Sequence, residues 1–143
     1  MEITKLGGAG RLKIAGSPPK TIRSSITTAF NYILSRRNEM GLASDLGAWD
    51  FHVQLVGLIA GREGGEVGLA LLTALYSLLK GRSVLPALVV VGQMAIQGYV
   101  VPLTSLAEIL QLAIGNGARL VLIPVENKRH FLEVPAIKAL GIN

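Results

Sequence analysis

From Val67 to Leu79 the chain carries neither a charge nor a proline, and Lys80-Gly81 follows at once. Such a run is shorter than the ~20 apolar residues that a membrane-spanning helix needs. It reads instead as a well-buried helix that stops at Lys80-Gly81. A second apolar stretch, Val84 to Val91, is shorter still, and glycine separates the two. Mean hydropathy is +0.51, so extra apolar surface is expected to be covered by partner subunits rather than by lipid. The start, Met1-Glu2-Ile3-Thr4-Lys5, has no apolar signal core behind it, and the expectation is a cytoplasmic chain with no membrane contact.

At 143 residues the chain suits one domain. Half of it is hydrophobic and 16% is charged, a balance far from disorder and able to build a core. Aromatic residues make up only 5%, so aliphatic side chains must do most of the packing, with seventeen glycines for the turns. There is no cysteine, which excludes disulfides, thiolate metal sites and a cysteine nucleophile.

The pattern along the chain predicts alternating strands and helices. Residues 1–16 read as a linker or as two short strands about Gly7-Gly8-Ala9-Gly10, and residues 17–143 as a single domain. Between Lys20 and Met40 the residues Ile22, Ile26, Phe30, Ile33 and Leu34 fall on one helical face, with Gly41 as the stop. Residues 42–49 read as a loop. Phe51, Val53 and Leu55 then alternate with polar neighbours as a strand would, and Gly61 to Gly65 forms a turn. Ala87 to Ile96 and Tyr99 to Val101 are expected to be strands joined at Gln97-Gly98. Ser105 with Glu108 suggests a capping box opening a helix to about Ile114. Gly115-Asn116-Gly117 ends that helix, and Leu120 to Ile123 reads as a short buried strand. The fold class is therefore α/β (α+β).

Charge is unevenly placed. Residues 1–40 hold seven basic residues against Glu2 and Glu39, while the remainder of the chain is neutral. Two readings stand. The basic residues, notably Arg23, Arg36 and Arg37, form a solvated face, or they meet an anionic partner such as DNA.

No phosphate-binding loop of the G-x-x-x-x-G-K-[ST] type and no G-x-S-x-G elbow is present. His52 and His130 have no metal-ligand spacing and read as structural.

Several blocks, in order, resemble the proteolytic domain of ATP-dependent Lon proteases. Asp50-Phe51-His52-Val53 is similar to the strand that enters the Lon active-site turn. Gly61-Arg62-Glu63-Gly64-Gly65-Glu66-Val67-Gly68 stands where Lon enzymes have P-K-D-G-P-S-A-G. Thr73 to Ser77 resembles the helix behind the nucleophile. Gly92-Gln93-Met94-Ala95-Ile96-Gln97-Gly98 is similar to G-E-I-T-L-R-G, and Val101-Pro102-Leu103 follows. Val121 to Arg129 is close to V-L-I-P-x-E-N-K-R.

The resemblance implies a Lon proteolytic-domain-like fold with mixed sheets and packed helices. It also implies a serine nucleophile with a lysine base, a two-residue form of the activated nucleophile. Here the nucleophile position holds Glu66 and the base position holds Ile109, while Val91 matches a supporting threonine. Isoleucine cannot take a proton, so no catalytic pair is intact. Glu66 reads most simply as an acidic residue in a helix's first turn, paired with Arg62.

A narrower resemblance comes from Ile3 to Gly10, from Ala29-Phe30-Asn31-Tyr32 and from Ala139-Leu140-Gly141. These are similar to the Lon-like AAA+ proteins of BREX phage-defence systems, which carry a further strand between the positions of Pro135 and Ala136. This implies a parent chain with an upstream ATPase domain holding ATP and magnesium, no cofactor in this domain, a hexameric ring and a DNA-related task. The expected role is a catalytically degenerate assembly domain. The alternatives are an active Lon-type peptidase and a DNA-binding module.

Overall fold

The computed structural model describes residues 1–56 and 66–131. Three strands form the first sheet: β1 (Glu2–Gly7), β2 (Leu12–Ile14) and β3 (Trp49–Gln54). The glycine-rich turn does not fold β1 back on β2. Instead β3 lies between them, antiparallel to β1 and parallel to β2. The apolar alternation of β3 explains this, since Phe51 and Val53 are fully buried and a central strand gains pairing on both edges. The expected strand content of residues 1–16 is thus present, with a partner that local pattern does not reveal.

Helix α1 (Lys20–Ser35) turns Ile22, Ile26, Ala29, Phe30 and Ile33 into the core, at the helical spacing read from the sequence. Regular helix ends at Ser35 rather than running to Met40. The Arg37 guanidinium donates to the Leu34 carbonyl at 2.8 Å, occupying an acceptor at the helix end. An irregular turn continues to Gly41, whose φ of 68° and the bond from Leu42 N to Arg37 O close it. The expected loop at 42–49 is largely helix α2 (Ala43–Ala48), held down by fully buried Leu42 and by Leu46. Burial of that pair outweighs the loop-like composition around Gly47.

Helix α3 (Gly68–Lys80) buries Leu71 and Leu75 and stops at Gly81 in the left-handed conformation, as expected. The run Ala87 to Ile96 is not one strand. It breaks at Val91-Gly92 into β4 (Leu88–Val90) and β5 (Gln93–Met94), which belong to different sheets. β5 pairs antiparallel with β6 (Val100–Val101) across a turn at Gly98, and β4 pairs parallel with β7 (Leu120–Leu122). Helix α4 (Leu106–Gly115) lies between β6 and β7. Ser105 precedes it without a side-chain capping bond, so the capping box does not form. Its backbone, at φ −117° and ψ 46°, stands outside the extended region that capping residues usually adopt. β7 is also less buried than expected. It pairs on one side only among the described residues, and Leu120 and Leu122 are 42% and 46% exposed. After β7 come a 3-10 turn (Val125–Asn127) and the short helix α5 (Lys128–Phe131).

Two apolar clusters result. The larger joins α1, α2, β3, α3 and Met94, with Phe30 and Phe51 rings 5.9 Å apart. The smaller consists of Val91, Leu103, Leu106 and Leu110, with Ile109, Val121 and Phe131 packed against it. The architecture is mixed α/β, with small sheets of both strand senses and packed helices, as the fold class anticipates.

Candidate functional site

The start of α3 is fastened to the break between β4 and β5. Gly92 N donates to Glu66 O at 3.0 Å, and Leu69 N donates back to Gly92 O at 3.1 Å. This pair requires close approach, because a Cβ on Gly92 would come within 2.4 Å of Leu69 Cδ1. Gly68 is also close-packed, though less so, with a Cβ placed 3.3 Å from Met94 N. The neighbouring Val91 donates its N–H to Leu122 O at 3.1 Å and lies in the smaller cluster, against which Ile109 of α4 packs. The fold therefore gathers the three positions around one seam. Glu66 bonds the residue after Val91, and Val91 shares a cluster with Ile109.

The chemistry available at that seam is limited. Ile109 is half-buried among aliphatic side chains and offers no donor or acceptor. Glu66 lies ahead of the first turn of α3 rather than within it, since the helix begins at Gly68 after Val67. Val67, without a side-chain capping bond, is the capping residue, so Glu66 does not take the expected first-turn place. Its expected partner Arg62, with the Gly61 to Gly65 turn, lies outside the described residues, as do Pro135-Ala136 and Ala139 to Gly141.

The three arginines are not brought together. Arg23 stands in the first turn of α1 and Arg36 just beyond its last, about 20 Å apart along the axis at 1.5 Å per residue. Arg36 pairs with Glu39 at 3.0 Å, and Arg37 is held by the Leu34 carbonyl. All three are exposed. His52 sits mid-strand in β3, across from Thr4 and Lys13, and His130 is exposed on α5. No group of three metal-ligating side chains occurs among the described residues. Nor, among them, is any helix long and apolar enough to cross a membrane.

Two polar fixtures escaped the sequence reading. Asp50 Oδ1 accepts from the backbone N–H groups of Ala9 and Arg11, each at 2.9 Å. The Arg11 and Ala9 bonds hold its carboxyl below the usual carboxylate value, with the Arg11 and Lys13 charges adding to them. Asn127, buried within the smaller cluster's surroundings, bonds both backbone groups of Leu103. The signal in each case was an acid or amide inside a motif block, with nothing local to name its partner.

The comparisons with known proteins agree with this framework. The family model of the Lon protease (S16) C-terminal proteolytic domain matches residues 1–141. The Lon protease of Acinetobacter baumannii is 33% identical over 94% of this chain, and that of Escherichia coli K12 is 32% identical over the same share. The Lon protease of Desulforamulus reducens is 26% identical over 94% of the chain. The chain spans only 17% of the length of each of these relatives. With the family model covering nearly every residue, the chain belongs to the Lon protease C-terminal proteolytic domain family.

Proposed function

We propose that this chain is a Lon proteolytic domain that has lost its serine–lysine pair and serves assembly rather than cleavage. The observation that carries this reading is Ile109, an aliphatic side chain packed on Val91, Leu103, Leu106 and Leu110 where the family places its base. A Lon-type nucleophile needs a neighbouring amine to take its proton. A carboxylate at Glu66 and an isoleucine at position 109 do not supply that hydroxyl and amine.

The parent protein is an ATP-driven ring of the Lon type, with ATP and magnesium held by a domain upstream and six copies in the ring. Its narrower kinship is with the Lon-like AAA+ proteins of BREX phage defence, on the strength of Ile3 to Gly10 and Ala29 to Tyr32. It works in the cytoplasm. Exposed apolar side chains support self-association, among them Leu112 at 58%, Ile96 at 67% and Val125 at 82%. A DNA contact through Arg23, Arg36 and Arg37 belongs to the same proposal and predicts salt-dependent binding.

The competing reading is an active Lon-type peptidase, favoured by the similarity to the Escherichia coli Lon protease across 94% of the chain. A fluorogenic unstructured substrate decides between them. The native domain should be inert, and Glu66→Ser combined with Ile109→Lys should gain weak cleavage. Cleavage by the native domain that Glu66→Ala abolishes would overturn the proposal.

A further inference from the structure

An open cavity of about 340 Å³ lies between the outer side of α3, the turn after α1 and the loop that follows Gly81. Met40, Leu72, Tyr76 and Val84 supply its apolar walls, and Arg82 and Ser83 stand in its lining. None of these residues is Glu66, Val91, Gly92 or Ile109, so the cavity is separate from the seam described above and independent of the reading given to it. Its size is at the lower end of small-molecule pockets, which combine apolar walls with a few placed polar groups.

The charges around it are unequal in their commitments. Arg36 is engaged by Glu39, Arg37 by the Leu34 carbonyl, and Lys80 donates to the Gly41 carbonyl at 3.2 Å while lying 5.9 Å over the Tyr76 ring. The Arg82 guanidinium alone has no ion pair or hydrogen bond with any described residue, although its backbone is tied to Ser77. Among the described residues, no acidic side chain lines the cavity. An apolar recess with one uncommitted guanidinium is complementary to a molecule with one anionic head and one apolar tail, because the planar fork matches a carboxylate.

We infer that this cavity binds a small aliphatic carboxylate, with its tail against Leu72, Tyr76 and Val84 and its headgroup on Arg82. A nucleic acid fits less well, since it offers many charges and no aliphatic tail, whereas the recess offers one free cation and an apolar floor.

Calorimetric titration of the chain with decanoate tests this, with acetate and decylamine as the partner probes. Saturable one-to-one binding of decanoate is expected, with none for acetate, which lacks the tail, or for decylamine, which reverses the charge. Arg82→Glu should weaken decanoate by about fivefold or more, on the scale of an exposed ion pair reversed to repulsion. Val84→Asp, at a side chain 49% exposed and so tolerant of change, should do likewise. Circular dichroism checks that each variant is folded, and one folded variant suffices. Failure of decanoate to saturate, equal binding of decylamine, or unchanged affinity in a folded variant would each overturn the inference.

Discussion

The carboxamide of Asn127 closes on both main-chain polar groups of Leu103. Leu103 N donates to Oδ1 at 2.8 Å, and Nδ2 donates to Leu103 O at 2.9 Å. Asn127 is 1% exposed and Leu103 7%, so water cannot replace either bond. The clamp spans 24 positions and fixes the approach to α4, the helix that carries Ile109.

Asn127→Ala should therefore leave a buried donor and a buried acceptor without partners. Each such group costs about 1–3 kcal/mol, so for the two a loss of about 2–6 kcal/mol is expected. Urea denaturation should show a lower midpoint with an unchanged slope. An effect below about 0.5 kcal/mol, the scale of an ordinary surface change, would mean that the clamp contributes little.

Asp50 makes stability depend on acid. Its folded pKa lies below the ordinary aspartate value, first through the Arg11 backbone bond and next through that of Ala9. A depressed carboxylate contributes stability that is fully present above the unfolded value and lost as pH falls through the folded one. Asp50→Asn should flatten the stability profile in that acid window, measured by denaturation at a series of pH values. The wild-type and variant profiles would run parallel if the carboxylate were not responsible.

Gly10 sits at φ 86°, and a Cβ there would meet Leu46 O at 2.9 Å. Gly10→Ala combines an unfavourable backbone conformation with a clash against main chain that cannot rotate away. A loss of more than about 1 kcal/mol is expected. Gly7→Ala, where an added Cβ meets nothing within 4 Å, is the control in the same thermal scan.

Ile109→Lys, one half of the double change that tests the proposed function, replaces a half-buried aliphatic side chain. The lysine stem can cover part of the same surface while its ammonium reaches water. The expected cost is about 1–2 kcal/mol, within the 0.5–3 kcal/mol of a typical substitution. Loss of folding in this variant would show that the position tolerates no charge.

What the sequence determined is what depends on neighbours a few positions apart. The buried face of α1, the uncharged run of α3, its stop at Gly81 and the Phe51–Val53 alternation all follow from helical or strand periodicity. The motif blocks likewise carried the resemblance to the Lon proteolytic domain, whose family model matches residues 1–141. Tertiary structure alone decided the partners. It put β3 between β1 and β2, split Ala87 to Ile96 between two sheets, and left β7 partly exposed. It turned residues 43–48 into helix because Leu42 and Leu46 reach the core. It also tied Asp50 to Ala9 across 41 positions. The physical reason is that periodicity specifies which face of an element is apolar, whereas pairing and hydrogen bonding over long separations depend on which faces meet once the core has formed.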